Sequence, residues 1–460
     1  MTGPDHPVQA RPPGLGHLPP QPHVVVIGGG ASGVLMAVHL LSRPDRSFRV
    51  TLLEPAPRPG QGLAYATEDP DHLLNTRVQN MSAFPDRPGD FLDWLATRPE
   101  GAGATAGCFV SRATYGAYLA SLLTPWQGGE DPQRLRIVRQ AAVRVEDRAR
   151  GVVVHLADGQ SVIGDLAILA TGHVQAAPDP ALVPCRADPG GIDPEGRVIV
   201  VGSGLSMVDR AVTLLKSGHR GEILVVSRRG LLPRDHAPTA PLAITRGDVP
   251  LGAPVSVLAG WARHLARRAE ARGGSWRDAV DGIRPHVQAI WRSLPPVERA
   301  RFLRQAAIWW DVHRHRIPPA SDAVIRAALA SGQLRLQRAA FLGAEARDGG
   351  AVARFRPFAR SRVVEVTAAR IFDCRGIRRD PEQNASPLIA DLLARGRARV
   401  DDLRIGLEVD LACRLIGRAG RPSDRIIAIG PVSRAAFWEI TAIPDIRDQV
   451  QRIAAELAAA

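Results

Sequence analysis

The sequence contains only four cysteines, Cys108, Cys185, Cys374 and Cys413, and they are widely spaced. They form no C-x-x-C motif, which excludes a thioredoxin-like redox dithiol and a zinc knuckle. We therefore interpret all four as structural thiols.

Long apolar runs are also missing. No stretch approaches the roughly 18 uninterrupted apolar residues that a membrane-spanning helix needs. The first 22 residues are rich in proline and lack the apolar region of a signal peptide. We expect a cytoplasmic protein without a membrane partner, in which residues 1–22 form a flexible tail.

Lysine is almost absent, because Lys216 is the only one in the chain. The formal net charge of +13 therefore comes from arginine, and the arginines are dispersed along the sequence. No nucleic-acid recognition motif accompanies this charge, so we expect no nucleic-acid partner. The 460 residues, 45% of them hydrophobic, are enough for two or three domains.

Residues 23–33 read HVVVIGGGASG and resemble the start of a dinucleotide-binding βαβ unit. An apolar run predicts a buried strand, and glycines follow it in G-x-G-x-x-G spacing before a helix. Such glycines permit a tight turn, let a pyrophosphate approach the backbone and let the helix pack against the strand. A helix N-terminus there would bind phosphate. The predicted cofactor contacts are Gly28, Gly30, Ala31, Ser32 and Gly33.

A second predicted strand, FRVTLLE, ends at Glu54. An acidic side chain at this point accepts hydrogen bonds from a ribose diol. Strand, glycines, helix, strand and terminal acid together predict a complete dinucleotide site. Its N-terminal position and its three consecutive glycines favour FAD.

The pattern recurs at residues 197–207, RVIVVGSGLSM, where Met207 replaces the third glycine. The following strand, EILVVSRRG, ends in arginine instead of an acid. A guanidinium there can pair with the 2′-phosphate of NADP, which an acid would repel. The second site is therefore predicted to bind NADPH, through Gly202, Gly204, Leu205, Ser206, Ser227, Arg228 and Arg229. Solvated loop arginines are the alternative interpretation of the last two.

The order of these units predicts an α/β fold with two Rossmann-like domains. The FAD domain would be split into residues 23–175 and 371–460 around an inserted NAD(P) domain, residues 196–370. The segment LAILATGH contains a predicted strand that runs into Thr171 and Gly172. It resembles the segment at which glutathione-reductase-type flavoproteins leave the FAD domain. The strands ARIFDCRGI and RIIAIGPVS would form the return, with Gly430 at the flavin ribityl chain. Pro431 follows Gly430 at a position where that family commonly has Asp. The direct phosphate or ribityl contact usually assigned to that Asp is therefore in doubt.

Residues from about 255 to 330 predict a helical insertion whose tryptophans are mostly core. It ends in WWDVHRHRIPP, where Asp311, His313 and His315 stand at alternate positions. Alternate residues share a face in a strand and not in a helix, so we predict no metal site there.

Residues 62–95 and 109–123 combine polar side chains with apolar ones, as a polar-lined flavin pocket requires. A surface loop with a helix behind it is the alternative. Two polar residues near the start of this region, His72 and Asn75, are our candidates for orienting substrate or for proton transfer.

Several segments together resemble a family of bacterial FAD/NAD(P)-binding proteins, whose N-terminal unit is shared with FAD-dependent urate hydroxylase and amino-acid N-hydroxylases. They are GGGASG, GLAYAT, HLLNTRVQNMSAFPD, SRATYGAYL, ILATGH, VGSGLSMVD, SRRGLLPRDHA, RHR and FWEITAIPDIR. The resemblance runs from residue 23 almost to the end. VQNMSAFPD, FLDWL and SRATYGAYL are also similar in order to ornithine and lysine N-monooxygenases. That similarity implies that Gln79, Asn80 and Met81 lie beside the isoalloxazine ring.

The resemblance implies a monooxygenase that uses NADPH, FAD and molecular oxygen to hydroxylate a small polar substrate through a flavin hydroperoxide. An NAD(P)H-dependent flavin oxidoreductase without oxygen insertion is the first alternative, and a non-catalytic flavin-binding protein is the second. The substrate and the oligomeric state are open.

The last predicted element is a helix that begins near Pro444, where proline suits a first helical turn. Its apolar residues Ile446, Val450, Ile453 and Leu457 recur on one face. In flavoproteins of the resembled type, such a helix points its N-terminus at the flavin pyrimidine.

Overall fold

The computed structural model describes residues 18–128, 133–173, 179–188, 190–376 and 380–460. Its strands are β1 His23–Ile27, β2 Arg49–Leu53, β3 Leu135–Val138, β4 Ala142–Arg148, β5 Gly151–Leu156, β6 Ser161–Gly164, β7 Leu166–Leu169, β8 Val183–Pro184, β9 Val198–Val201, β10 Ile223–Ser227, β11 Leu334–Arg347, β12 Gly350–Pro357, β13 Val364–Ala368, β14 Arg370–Asp373, β15 Arg414–Ile416 and β16 Pro422–Ala428.

Its α-helices are α1 Ala31–Leu41, α2 Gly62–Tyr65, α3 Asp90–Ala96, α4 Arg112–Ser121, α5 Leu205–Lys216, α6 Val255–Glu270, α7 Trp276–Ile283, α8 Val287–Ser293, α9 Pro296–Gln305, α10 Ala307–Arg314, α11 Pro319–Ala330, α12 Pro387–Ala394 and α13 Ile443–Ala458. None of the described helices is long and apolar enough to cross a membrane.

The first sheet has the strand order β15-β16-β7-β1-β2-β3. Strands β3, β2, β1, β7 and β16 run parallel, and β15 pairs with β16 in the opposite direction. Buried β-branched residues fill β1, as expected for a strand covered on both faces. Helix α1 follows β1 and packs against α13. The C-terminal part of the chain thus returns to complete the first domain.

The second sheet has the order β13-β12-β11-β10-β9-β14-β8. Strands β11, β10, β9, β14 and β8 run parallel, and β12 and β13 extend the sheet as antiparallel hairpins. Strand β14 pairs with β9, with Ile371 opposite Ile199. The predicted return to the FAD domain at residue 371 was therefore placed too early, because β14 belongs to the second sheet.

Strands β4, β5 and β6 form a separate small antiparallel sheet. In the sequence they lie between β3 and β7 of the first sheet. The turn between β5 and β6 contains Asp158 and Gly159, and Gly159 has φ 85°, a conformation that glycine adopts freely. Strands β5 and β6 therefore form a β-hairpin.

The helical block comprises α6 to α10, within the predicted range. Its core includes Trp291, which stacks on Trp438 at a ring distance of 4.8 Å, and the Trp291 indole N–H donates to the Ala435 carbonyl. Both partners follow β16 in the first domain. The block is therefore anchored to the C-terminal part of the first domain.

Most of the predicted N-terminal tail lies outside the described residues, but its last five residues do not. Leu18 is buried, and the Arg46 guanidinium donates to the carbonyls of Leu18 and Pro19. Residues 18–22 thus pack on the first domain instead of forming a flexible tail.

Candidate active site

The first glycine turn lies between β1 and α1. Gly28 has φ 104°, and its N–H donates to the Leu53 carbonyl at the end of β2. A Cβ on Gly28 would lie 2.5 Å from the Ala170 oxygen, and one on Gly33 would lie 1.8 Å from the Gly28 oxygen. Gly30 differs, because a Cβ there would meet only the Gly62 Cα at 3.5 Å. The turn is therefore tight on the protein side and open at Gly30, the N-cap of α1.

Glu54 follows β2 and holds the same turn. Its two carboxylate oxygens accept the N–H groups of Gly29 and Ala56, both at 2.8 Å. A second pair of glycines, Gly60 and Gly62, lies over the turn, and the Gly60 N–H donates to the Gly29 carbonyl at 2.7 Å. These two glycines were not among the predicted site residues. Their spacing in PGQG is the signal that the sequence offered, and the structure shows that both have positive φ.

The loop at Gly430 also reaches the N-terminus of α1. A Cβ on Gly430 would lie 2.4 Å from the Ser32 oxygen, and φ is 65°. The Gly430 N–H donates to the Gln449 side chain on α13 at 2.7 Å. The structure thus brings together the predicted residues Gly28, Gly30, Ser32 and Gly430, which are separated by about 400 positions in sequence.

The second glycine turn, between β9 and α5, has the same construction. Gly202 has φ 109°, and its N–H donates to the Val226 carbonyl at 2.9 Å. A Cβ on Gly202 would lie 2.3 Å from the Cys374 oxygen, whereas one on Gly204 would meet nothing within 4 Å. Gly204 is the N-cap of α5, and Leu205 and Ser206 form its first turn. Met207 is fully buried, so the side chain that replaces the third glycine packs into the core.

The arginines predicted to recognise a 2′-phosphate follow β10. Arg228 and Arg229 are exposed, and Arg229 donates to the Arg304 carbonyl of α9 at 3.2 Å. The Ser227 hydroxyl accepts the Gly230 N–H at 3.0 Å and so closes the turn. The strand end therefore presents two guanidinium groups near the second glycine turn.

The two turns are related residue by residue. Gly28 packs on the carbonyl after β7, and Gly202 packs on the carbonyl after β14. These strands lead to Gly172 with φ 69° and Gly376 with φ 75°. Thr171 precedes Gly172 and is half-buried. Residues 23–54 and 197–228 therefore form two equivalent turns in two sheets.

The segment predicted to face the flavin lies close to α13. Residues Val78–Asn80 form a short 3-10 helix, and Met81 is 2% exposed. Gln79 is exposed and Asn80 is half-buried. The Arg447 side chain, in the second turn of α13, donates to the Ser82 carbonyl at 2.9 Å. The segment and the helix N-terminus are thus joined directly.

The structure places His72 at the junction between the two domains. Its Nδ1 is hydrogen-bonded to the Thr67 hydroxyl at 2.6 Å and its Nε2 to the Thr213 hydroxyl of α5 at 2.9 Å. The Thr213 hydroxyl donates to Asp69, and Lys216 of α5 forms an ion pair with Asp71. Both ring nitrogens are therefore engaged, Nδ1 within the first domain and Nε2 with α5 of the second domain.

Asn75 lies at the same junction. Its carbonyl is hydrogen-bonded to Nε2 of His236 at 3.0 Å. Arg77 donates to the Ala237 carbonyl at 2.7 Å, and Arg112 pairs with Asp209 of α5 at 2.9 Å. The predicted catalytic roles of His72 and Asn75 stay predictions, and the observed contacts of both are between domains.

Positive charge lies beside the Gly172 turn. Burial, followed by the nearby Arg434 and Arg186, lowers the pKa of His173 to about 4. Burial and the charge of Arg112 lower the pKa of Arg186. His173 is therefore neutral at pH 7 in a region that favours anions.

A buried ionic cluster joins the helical block to the residues before α13. Glu439 has φ 67° and accepts hydrogen bonds from Trp310 and, at 3.2 Å, from Arg314. Burial opposes ionisation of Glu439, but Arg314, Trp310 and Arg284 act with their neighbours to outweigh it, so the pKa of Glu439 is lowered. His315 lies near this cluster, and burial lowers the pKa of His315 to about 4. This cluster was missed because its members are distant in sequence.

Asp311 and His313 lie on α10, and His315 directly follows that helix. His313 Nδ1 is hydrogen-bonded to the Trp309 carbonyl at 2.7 Å. In the described part of the chain, no group of three or more His, Cys, Asp or Glu side chains is placed to hold a metal ion.

The helical block encloses a cavity of about 330 Å³. Six tryptophans line it: Trp261, Trp276, Trp291, Trp309, Trp310 and Trp438. Neither glycine turn contributes to its wall, so this cavity is not the dinucleotide cleft. The cleft is identified by the open glycines, and the cavity is a separate feature.

Comparison with known proteins supports the two-domain architecture. The sequence profile of a family described as FAD-NAD(P)-binding matches residues 25–174, the part that contains the first glycine turn. No curated protein matches the chain.

Solved structures share the fold over nearly the whole chain. L-lysine 6-monooxygenase from Pseudomonas syringae is 17% identical, with 96% of this chain and 100% of that chain covered and a TM-score of 0.64. Ornithine N-hydroxylase from Kutzneria sp. 744 is 15% identical, with coverages of 95% and 98% and a TM-score of 0.61. The cadaverine monooxygenase of desferrioxamine biosynthesis from Erwinia amylovora is 14% identical, with 94% of both chains covered and a TM-score of 0.63. The fold is that of the amino-acid N-hydroxylase flavoproteins.

Proposed function

We propose that the chain binds FAD at its first glycine turn and NADPH at its second, and that it hydroxylates a small polar substrate with molecular oxygen. The observation that carries this proposal is the pair of equivalent turns, each open at one glycine at a helix N-terminus. Unpaired N–H groups at a helix N-terminus bind phosphate. The proposal is consistent with a fold shared with N-hydroxylases that use the same two cofactors.

The residues present fit FAD at the first turn. The open Gly30 leaves room for a pyrophosphate, and the Glu54 carboxylate has lone pairs beyond its two backbone contacts for a ribose diol. Gly430 and Ser32 lie together where the phosphate-to-ribityl part would pass. In this proposal the FAD domain combines residues 23–175 with the chain after β14.

The residues at the second turn fit NADPH. Gly204 is open, no acidic residue stands in the first turn of α5, and Arg228 and Arg229 are exposed at the end of β10. A guanidinium pairs well with a phosphate.

When bound, FAD reduced by NADPH activates oxygen for transfer to a substrate. The chain's own task is to orient the cofactors and the substrate and to exclude water from the site. Arg447 fixes the segment of Gln79, Asn80 and Met81 by holding the Ser82 carbonyl. The neutral His173 lies in a positively charged region that would suit an anionic group. A small polar substrate would bind beside the Gln79–Met81 segment.

The test is NADPH oxidation by purified protein with a panel of amino acids, amines and purines, with oxygen uptake and peroxide release measured separately. A substrate that raises oxygen uptake without matching peroxide, and that yields a product 16 mass units heavier, supports the proposal. Peroxide equal to oxygen uptake with every compound would contradict hydroxylation of these classes. NADPH oxidation that continues without oxygen, with an organic acceptor reduced, would identify a hydride-transfer oxidoreductase.

A further inference from the structure

Cys185 and Cys374 lie side by side at the second glycine turn. Strands β8 and β14 pair in parallel, with Val183 opposite Phe372 and Pro184 opposite Asp373. The next residue on each strand is a cysteine. Paired strands lie about 4.8 Å apart, and residues at one register point to the same face. That spacing falls within the Cα separation of about 4.4–6.8 Å that a disulfide needs.

The surroundings make the two thiols unequal. A hydrogen bond from the Cys374 thiol and the charge of Arg210 lower the pKa of Cys185, whereas burial and the same thiol contact raise the pKa of Cys374. Arg210 also donates to the Cys185 carbonyl at 2.9 Å. Cys185 is half-buried, and Cys374 is 4% exposed. A thiol with a lowered pKa beside a thiol with a raised pKa is the arrangement of a peroxide-sensitive pair.

Both cysteines contact the nucleotide-binding turn. The Cys374 carbonyl packs on Gly202, and the Cys185 thiol donates to the Ser206 carbonyl in the first turn of α5 at 3.1 Å. Disulfide formation removes that thiol donor and ties β14 to β8 directly behind Gly202. We propose that hydrogen peroxide converts Cys185 and Cys374 into a reversible disulfide that weakens NADPH binding.

The chemistry balances with peroxide as the only oxidant. The Cys185 thiolate attacks one peroxide oxygen, so that an S–O bond forms, the O–O bond breaks and hydroxide leaves. The Cys374 sulfur then displaces water from the sulfenic acid as the S–S bond forms. Two thiols lose two electrons and two protons, and one peroxide becomes two waters. The peroxide source rests on the proposed function, because oxygen reduced without hydroxylation leaves as peroxide.

The experiment treats the flavin-loaded protein with hydrogen peroxide, blocks free thiols with an alkylating reagent and maps peptides by mass spectrometry. We expect one cross-linked peptide pair, containing Cys185 and Cys374, and its loss after dithiothreitol. The NADPH dissociation constant, measured by titration without turnover, should rise at least tenfold in the oxidised protein. Cys185→Ser should form no cross-link, and peroxide should leave whatever NADPH affinity this variant has unchanged, whereas Cys108→Ser should respond to peroxide like the unmodified protein.

Three results would overturn the inference. They are no cross-link, oxidation of Cys185 beyond the sulfenic acid without cross-linking, and a cross-link that leaves NADPH affinity unchanged. Failure of the proposed function gives a different pattern, because reduced protein would then bind no NADPH whether or not the cross-link forms.

The tryptophan-lined cavity carries a second inference from independent observations. Apart from the half-buried His313 and the exposed Arg263, its wall is aromatic and aliphatic. Trp309 is 52% exposed, and the stacked Trp291 and Trp438 are each 2% exposed. Burying a charge against such a wall is costly, whereas burying apolar surface is favourable by about 25 cal/mol per Å². We infer that the cavity binds an uncharged small molecule with an aromatic or aliphatic body.

The test is titration of the flavin-loaded protein with the apolar dye N-phenyl-1-naphthylamine. We expect saturable dye emission at one site per chain, with quenching of tryptophan fluorescence. Ala262→Phe fills the cavity and should lower dye affinity at least tenfold, and Ala262→Leu should lower it less. Ala320→Phe, on an exposed residue of α11, is the matched control. No saturable binding, or equal affinity in flavin-replete Ala262→Phe, would overturn the inference.

Discussion

In the proposed cofactor sites, Gly30 and Gly204 are positions at which the protein leaves room for a side chain and at which that side chain would meet the cofactor. Gly30→Val should therefore give a folded protein that purifies without flavin, because the valine would occupy the pyrophosphate path while its nearest protein neighbour is the Gly62 Cα. The measurement is the ratio of flavin to protein absorbance together with the thermal midpoint.

Gly204→Val is the matched control for that variant. It should retain flavin and lose NADPH binding, because it alters the second turn alone. Full flavin content in Gly30→Val would show that the first turn is not the FAD site. Gly33→Ala would not serve as a probe, because its Cβ would lie 1.8 Å from the Gly28 oxygen and would disturb the fold.

In the proposed NADPH site, Arg228 is the residue that would select NADPH over NADH. Arg228→Ala should raise the KM for NADPH by about 10- to 100-fold, since a hydrogen bond to a charged group contributes about 1.5–3 kcal/mol, and should leave the KM for NADH nearly unchanged. Steady-state kinetics with both cofactors measures this. Arg220→Ala, which removes an exposed arginine paired with Glu195 on the same domain, is the control. Equal losses for both cofactors would contradict the NADPH assignment.

Residue-level features were predictable where the information is local. The spacing of Gly28, Gly30 and Gly33 and the acid at Glu54 identified one turn from 32 consecutive residues. The contact of Cys185 with Cys374 could not be predicted, because it depends on the register of two strands 186 positions apart. The widely spaced cysteines were therefore interpreted as structural thiols, and the fold makes two of them neighbours.

Helix α13 begins one residue before the predicted start, and the four predicted apolar residues are at most 3% exposed. If its N-terminus faces the flavin, the helix dipole stabilises the anionic reduced flavin by up to about 1–2 kcal/mol. That stabilisation corresponds to roughly 20–45 mV in the two-electron potential. Thr441→Glu, which adds a negative charge at this end of the helix, should then lower the potential. A dye-linked equilibrium titration of the flavin measures the shift.

The control for this helix is Thr441→Gln, which has the same length as glutamate and no charge. It should leave the potential within a few millivolts of the unmodified protein and reduce at a similar rate with NADPH. An unchanged potential in flavin-replete Thr441→Glu would mean that α13 does not point at the ring. Arg447, which joins α13 to Ser82, is intact in both variants.

Helices and strands were predicted well where the apolar periodicity is strong. The sheet to which each strand belongs was not predicted as well. Both βαβ units and α13 have clear apolar patterns. Strand β14 has an equally clear pattern, but its pairing with β9 depends on how distant parts of the chain come together. Sequence alone assigned it to the FAD domain, since tertiary pairing is not a local property.

At the scale of the whole molecule, three histidines that are kept neutral by burial make the fold sensitive to acid. Burial lowers the pKa values of His173, His236 and His315 to about 4 each. Unfolded histidine has a pKa near 6.5, so between pH 6.5 and 4 the unfolded chain binds protons that the folded chain does not. Stability should be complete above pH 6.5 and fall as pH drops toward 4.

Urea unfolding at several pH values between 7.5 and 4.5 measures this loss. Each ring contributes a slope of up to about 1.4 kcal/mol per pH unit. His236→Gln, which retains an N–H that can reach the Asn75 carbonyl, should flatten the slope by up to about 1.4 kcal/mol per pH unit. Equal stability at pH 7.5 and 5, or an unchanged slope in the variant, would contradict the assignment.

The single lysine of the chain stands on α5, half exposed, with its ammonium against Asp71 of the other domain. An amine-reactive fluorophore will therefore attach to one side chain besides the N-terminal amine, without any engineered residue. Because that side chain bridges α5 and the loop that holds His72, the emission of the dye reports separation of the two domains in real time. Any change in the contact between the two domains on addition of nucleotide can thus be followed by stopped-flow fluorescence on the native sequence.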